Sequence, residues 1–162
     1  MLLWFVGMSF LIVWLVFRDP AIDHRLVILG AVLPDLIDAP TGGRWLGHTL
    51  VLSVVVLAGV MLGTRGHRRL RRQLLALPIG MFLHLVLDGA WADRDLFWWP
   101  FFGTDLPQQP LPSVARGLGL DLVLELAGVV VIVWAWRRFR MDIPANRHRF
   151  LTSGRLPRDA SV

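Results

Sequence analysis

Apolar residues fall into five runs separated by short polar breaks. Residues 2 to 17, LLWFVGMSFLIVWLVF, carry no charge. No basic segment precedes them and no small-residue cleavage site follows, so they read as a retained first span rather than a signal peptide. In the RDP that comes next, Asp19 is placed to cap a second helix with Pro20 at its first position. That helix is predicted to run to about residue 37, about 27 Å at the helical rise, enough to cross a bilayer core. Pro34 is expected to kink it near its end. The turn-rich APTGGRW, residues 39 to 45, leads into a third run from about Leu46 to Leu62. TRGHRRLRR is a charged break, and a fourth run covers about 73 to 92. Residues 93 to 116 hold too many prolines and charges to span, but their aromatic cluster, Phe97 to Phe102, suits the headgroup level. A fifth run extends from about Leu118 to Trp136, and the stretch after Arg137 is expected to fray.

The pattern predicts an all-α fold: a polytopic membrane bundle of about five transmembrane helices. Residues 1–140 would form one helical domain and residues 141–162 a flexible cytoplasmic tail. Composition agrees. Hydrophobic residues make up 55% of the 162 and charged residues 18%, with a mean hydropathy of +0.57. Soluble domains average about 45–50% apolar and about 25% charged.

Charge orients the bundle. All 17 basic residues are arginine. Arg18, Arg25, the 65–72 group and the tail arginines fall on one side of the five runs, and Arg44, Arg94 and Arg116 on the other. The positive-inside rule then puts the N-terminus outside and the C-terminus in the cytoplasm. Arginines used as inner-side anchors, with the tryptophan-rich loop on the opposite side, argue against a nucleic-acid partner. Membrane lipid is the expected partner, with RRLRR meeting anionic headgroups. With no cysteine, disulfides and thiolate metal sites are excluded.

The orientation places polar groups from four runs at one depth. Asp35 and Asp38 end the second helix, and His48 starts the third. His84 and Asp88 lie in the outer half of the fourth, and Asp121 and Glu125 in the outer half of the fifth. An ionisable group inside a membrane costs about 2.5–3.5 kcal/mol on insertion scales, so it faces the interior and pairs. Asp35-x-x-Asp38 presents two carboxylates from one turn, and His84/Asp88 presents an i,i+4 nitrogen and oxygen. With His48 from a third helix, these five form a candidate metal set. A divalent cation would compensate the cluster and activate water. Glu125, roughly 10 Å inside its span by helical rise, is the candidate general base or orienting partner. Plainer readings stay open for each: an interhelical hydrogen bond for His84/Asp88, a solvated helix end for Asp35 and Asp38, an ion pair with Arg44 or Arg116 for Glu125. His24, on the inner side, and His67 and His148, in arginine-rich segments, stand outside the set.

The series GAVLPDLID, RWLGHT and HLVLDG followed by WWPFFG resembles the bacterial inner-membrane metal-dependent hydrolases (YdjM-like) over residues 26 to 103. The resemblance implies a multi-pass protein of the bacterial inner membrane. It implies metal ligation by Asp35, Asp38, His48, His84 and Asp88, and it matches Arg44 to a motif arginine counted here, with Glu125, among candidate catalytic residues. Zinc is the expected ion, with manganese and magnesium as alternatives. The chain departs from the pattern at Gly43, where the first His of the middle motif would stand, and in having no His in residues 1 to 17.

Two functions compete. One is a membrane-embedded hydrolase with its site at the extracytoplasmic end, acting on an ester or phosphoester of a lipid-like substrate. The other is non-enzymatic: the same groups as a polar clasp between helices, or an ion or proton site.

Overall fold

The structure is a computed structural model, and it describes residues 1–19, 22–109 and 117–157. Among the described residues the fold is all-helical, with no strand beyond one isolated bridge between Arg44 and Gln109. The α-helices are α1 (Leu2–Phe17), α2 (His24–Asp38), α3 (Leu50–Gly63), α4 (Arg68–Leu74), α5 (Ala76–Asp88), α6 (Arg94–Phe97), α7 (Leu118–Arg138) and α8 (Pro144–Ser153). Short 3-10 turns cover Ala39–Thr41, Leu46–His48 and Ala90–Ala92.

Two helical stretches, Arg68–Asp88 and Leu118–Arg138, are long and apolar enough to cross a membrane. The first joins α4 and α5 through Leu75, whose backbone stays helical (φ −60°, ψ −22°). Arg68, Arg69, Arg71 and Arg72, expected within a break, therefore form the first turns of the helix that carries His84. α1 and α3 are apolar but shorter, at 16 and 14 residues.

Two local expectations change, the cap of α2 and the tail. The expected cap Asp19 is not the one used: α2 begins at His24, and the Asp23 carboxylate accepts its Arg25 amide. The expected start at Pro20 lies outside the described residues. Pro34 sits inside α2, which continues past it to Asp38. Within the stretch expected as a tail, residues 144 to 153 form α8. Arg25 donates to the Leu151 carbonyl (2.7 Å), and the His24 amide to the Gly154 carbonyl (3.0 Å). Phe10, Phe139, Met141 and Leu156 close an apolar cluster beside this contact. Residues 158–162 of that stretch lie outside the described residues.

The central packing is α2 against α5. Gly30 and Gly80 face each other there. A Cβ on Gly30 would lie 2.2 Å from the Leu77 carbonyl oxygen, and one on Gly80 2.3 Å from that of Val27. Only hydrogen fits, so the two backbones come into direct contact. α1 lies across this pair and contacts α7 near Gly7 and Gly128. Apolar and ionisable side chains share the interior. Arg44, His48, His84, Asp38 and Asp88 are buried, while Leu118, Leu122, Val123, Leu126 and Val130 of α7 are exposed.

Candidate metal centre

The α2–α5 crossing sets the site. It brings the C-terminal end of α2 beside the last two turns of α5, so that the His84 Nδ1 lies 2.7 Å from the Ala31 carbonyl oxygen. A carbonyl can only accept, so Nδ1 carries the proton and a neutral His84 leaves Nε2 bare. From α1, Phe5 packs on the same ring, with centroids 4.0 Å apart.

His48 reaches the site from the 3-10 turn Leu46–His48 rather than from the start of α3, which Thr49 caps by accepting the Leu52 amide. The turn is fastened to the end of α2 by Asp38. Its Oδ1 accepts the Gly47 amide (2.8 Å), and its Oδ2 accepts the Trp45 amide and His48 Nδ1 (both 2.7 Å). The carboxylate therefore fixes the proton on His48 Nδ1 and turns Nε2 inward.

The two bare nitrogens meet. His48 Nε2 and His84 Nε2 are 3.3 Å apart, and Asp35 Oδ1 is 3.5 Å from each. Two imidazole lone pairs this close repel unless a proton or a metal ion lies between them. The three atoms make a nearly equilateral triangle. A tetrahedral ion with ligands at about 2.1 Å has ligand–ligand edges of about 3.4 Å, so the triangle matches three corners of such a site and leaves the fourth open. Among the described residues, Asp35, His48 and His84 form the group able to hold a metal ion. Both imidazoles are buried, while the Asp35 side chain is 38% exposed, so the triangle opens to the outside past Asp35.

The other sequence candidates surround this centre without joining the triangle. Asp38 is the orienting partner of His48, not a fourth donor. Asp88 Oδ2 lies 3.8 Å from His48 Nε2 and pairs at 2.8 Å with Arg44 Nη2, which also donates to the Asp88 carbonyl (3.3 Å). Arg44 thus acts on Asp88, and is itself held by paired backbone hydrogen bonds with Gln109 (2.8 and 3.0 Å). Glu125 is engaged elsewhere. Its carboxylate accepts the Leu3 and Trp4 amides (2.9 and 3.3 Å) at the start of α1, the positive end of a helix that has no side-chain cap of its own.

Comparison of the chain with family models, curated proteins and solved structures returned no match.

At Gly43 the structure leaves no room for a side chain. A Cβ there would lie 2.3 Å from the Gln109 carbonyl oxygen, because Gln108 and Gln109 lie back against the loop as a strap. Gln108 Nε2 donates to the Thr41 carbonyl in the same strap. The space a side chain at 43 would need is filled by backbone. Sequence reasoning missed three roles: the orienting role of Asp38, the strap, and Phe5. A signal existed for the first: a carboxylate at a helix C-terminus opposes the helix dipole, so it calls for nearby donors.

Proposed function

We propose that the protein is a membrane-embedded, metal-dependent hydrolase whose ion is held by Asp35, His48 and His84. The observation that carries the proposal is the triangle of bare donor atoms at 3.3, 3.5 and 3.5 Å, with both Nδ1 atoms committed to acceptors behind it. Two imidazoles and one carboxylate suit zinc, with manganese next and magnesium least. When bound, such an ion supplies Lewis-acid activation of water at neutral pH.

The chain's own residues do the rest. Asp38 and the Ala31 carbonyl lock the two rings. Arg44 holds the Asp88 carboxylate beside the triangle, where it is placed to accept a proton. The exposed side of Asp35 is the entrance.

The bundle reading gives the substrate class. α1, α2, α3, the α4–α5 stretch and α7 would be five membrane-crossing elements, with the N-terminus outside and the C-terminus inside a bacterial inner membrane. Exposed apolar residues along α1, α3 and α7 support it. The short α1, α2 and α3 would be accommodated by local bilayer thinning. A groove of about 370 Å³ runs between α1, α3 and α5, lined by Val16, Leu50, Val54, Pro78, Phe82 and Leu83 among others. Leu50 is two residues from His48 and Leu83 adjoins His84. This groove suits the chain of a lipid-like ester or phosphoester whose polar end lies at the centre.

The test is metal content. Protein purified without chelator should carry about one divalent ion per chain, and His84→Ala and His48→Ala should each lose it. Wild type that stays metal-free across zinc and manganese titrations would overturn the reading. The Arg44–Asp88 pair, already charge-compensated, favours the alternative in that case: a polar clasp holding α2, α5 and the 39–48 loop together.

A further inference from the structure

A second cavity, of about 240 Å³, lies away from the metal centre, between α1, α2, α7 and α8. Val6, Phe10, Ile28, Ile132 and Phe150 are among its walls, and the one charged residue in its lining is Arg147 of α8. Arg147 is exposed, so its stem borders the cavity while its guanidinium can reach the surface.

The surroundings are strongly cationic. Arg137 and Arg140 flank the turn from α7 to α8, Arg149 lies on α8 and Arg155 follows it; all four are exposed. Phe139 and Met141, on either side of Arg140, also line the cavity. Nearby acids offer little neutralisation: Asp19 pairs with Arg72 and Asp23 with Arg25, leaving exposed Asp142. A wholly apolar slot with a rim of arginines matches one kind of molecule, with an apolar chain and an anionic head. Basic pockets between helices on the cytoplasmic side take such lipids.

We propose that this cavity holds an acyl chain of an anionic glycerophospholipid of the cytoplasmic leaflet, with Arg147 and its neighbours on the phosphate. The inference rests on the membrane reading above but not on the metal centre. The lipid would lie against the contact that ties α8 to the start of α2 through Arg25 and Leu151, so it would brace that end of the bundle.

The test uses the full chain in a neutral detergent, with dioleoyl phosphatidylglycerol or dioleoyl phosphatidylcholine added. Native mass spectrometry counts retained lipid, and thermal melting reads stabilisation. Phosphatidylglycerol should be retained over phosphatidylcholine by about fivefold for each arginine engaged, and should raise the melting temperature. Arg147→Gln, at an exposed position, should fold normally and lose much of the preference while still binding phosphatidylcholine. Ala135→Trp should fill the cavity and exclude both lipids. Val131→Phe fills the same space should Ala135→Trp not fold. Equal retention of the two lipids, an Arg147→Gln variant with undiminished preference, or a filled cavity that still retains lipid would each overturn the proposal. Metal binding is read separately, so either proposal can fail alone.

Discussion

Asp38→Asn is the sharpest probe of the centre, because it removes one charge and no volume. Asp38 is 2% exposed and accepts three hydrogen bonds, from the Trp45 and Gly47 amides and from His48 Nδ1. An asparagine has one oxygen and one NH2 group. Whichever way the amide faces, its NH2 meets a donor: the Gly47 amide, or the Trp45 amide together with His48 Nδ1. The protein can respond in two ways. It can leave a buried donor unpaired, at about 1–3 kcal/mol, on top of weakening the remaining bonds from charge-assisted to neutral. Or His48 can move its proton to Nε2 so that Nδ1 accepts from the new NH2. That relieves the clash at His48, though not at the Trp45 amide, and destroys the lone pair aimed at the metal.

Either response lowers metal affinity. Loss of an orienting partner typically costs about 10–100-fold. The assay is competition against a chromophoric zinc chelator, run on wild type, Asp38→Asn and Asp35→Asn, with thermal melting of the metal-free forms alongside. Asp38→Asn should bind about 10–100-fold more weakly and melt lower. Asp35→Asn should also lose metal, but with little change in metal-free melting, because Asp35 is partly exposed and not fastened to backbone amides. Asp38→Asn binding zinc as tightly as wild type, with the fold intact, would refute the assignment of Asp38 as the device that sets the His48 tautomer.

Three further outcomes are expected. Gly80→Val should fail to assemble or melt far below wild type, since even its Cβ would sit 2.3 Å from the Val27 carbonyl oxygen; wild-type melting would contradict the α2–α5 contact. Gly43→His, which restores the residue the resemblance leads one to expect, should lower stability and bring no gain in zinc affinity, because the Gln109 backbone fills that space; tighter zinc binding by calorimetry would show that the strap yields. The chain has no cysteine, so single cysteines report topology directly: Phe101→Cys should react with an impermeant maleimide on intact cells and Arg140→Cys only after lysis, the reverse pattern sinking the proposed orientation.

The helical runs were largely legible from hydrophobic patterning because an apolar run needs no partner to be recognised. α1 was expected over 2 to 17 and is found at Leu2–Phe17, and the run starting at Leu118 appears as α7. α8 was not legible. Its residues are polar enough to read as a frayed tail, and what orders them is remote: the Arg25 guanidinium and the His24 amide, more than 120 positions earlier. The start of α2 was misread for a related reason. Both Asp19 and Asp23 are competent caps, and the choice falls to Asp23, whose carboxylate also takes a 2.7 Å ion pair from Arg25.

At the site, residue type and the meeting of Asp35, His48 and His84 were readable, but the division of labour was not. The expected metal set takes in Asp35, Asp38, His48, His84 and Asp88, with Glu125 as candidate base, since in an apolar setting a charge must be compensated by something. The fold meets that requirement with three different partners. Asp38 is compensated by backbone amides, which only the return of the 39–48 loop supplies. Asp88 is compensated by Arg44, an interaction spanning 44 residues that i,i+4 spacing cannot reveal. Glu125 is compensated by the uncapped start of α1, where MLLW offers no side-chain acceptor for its own amides. Removing these three leaves Asp35, His48 and His84 as the groups whose inward atoms face one another. A cluster in which each outer carboxylate has a dedicated partner, while three inner donors point at a common centre, could hold a metal ion.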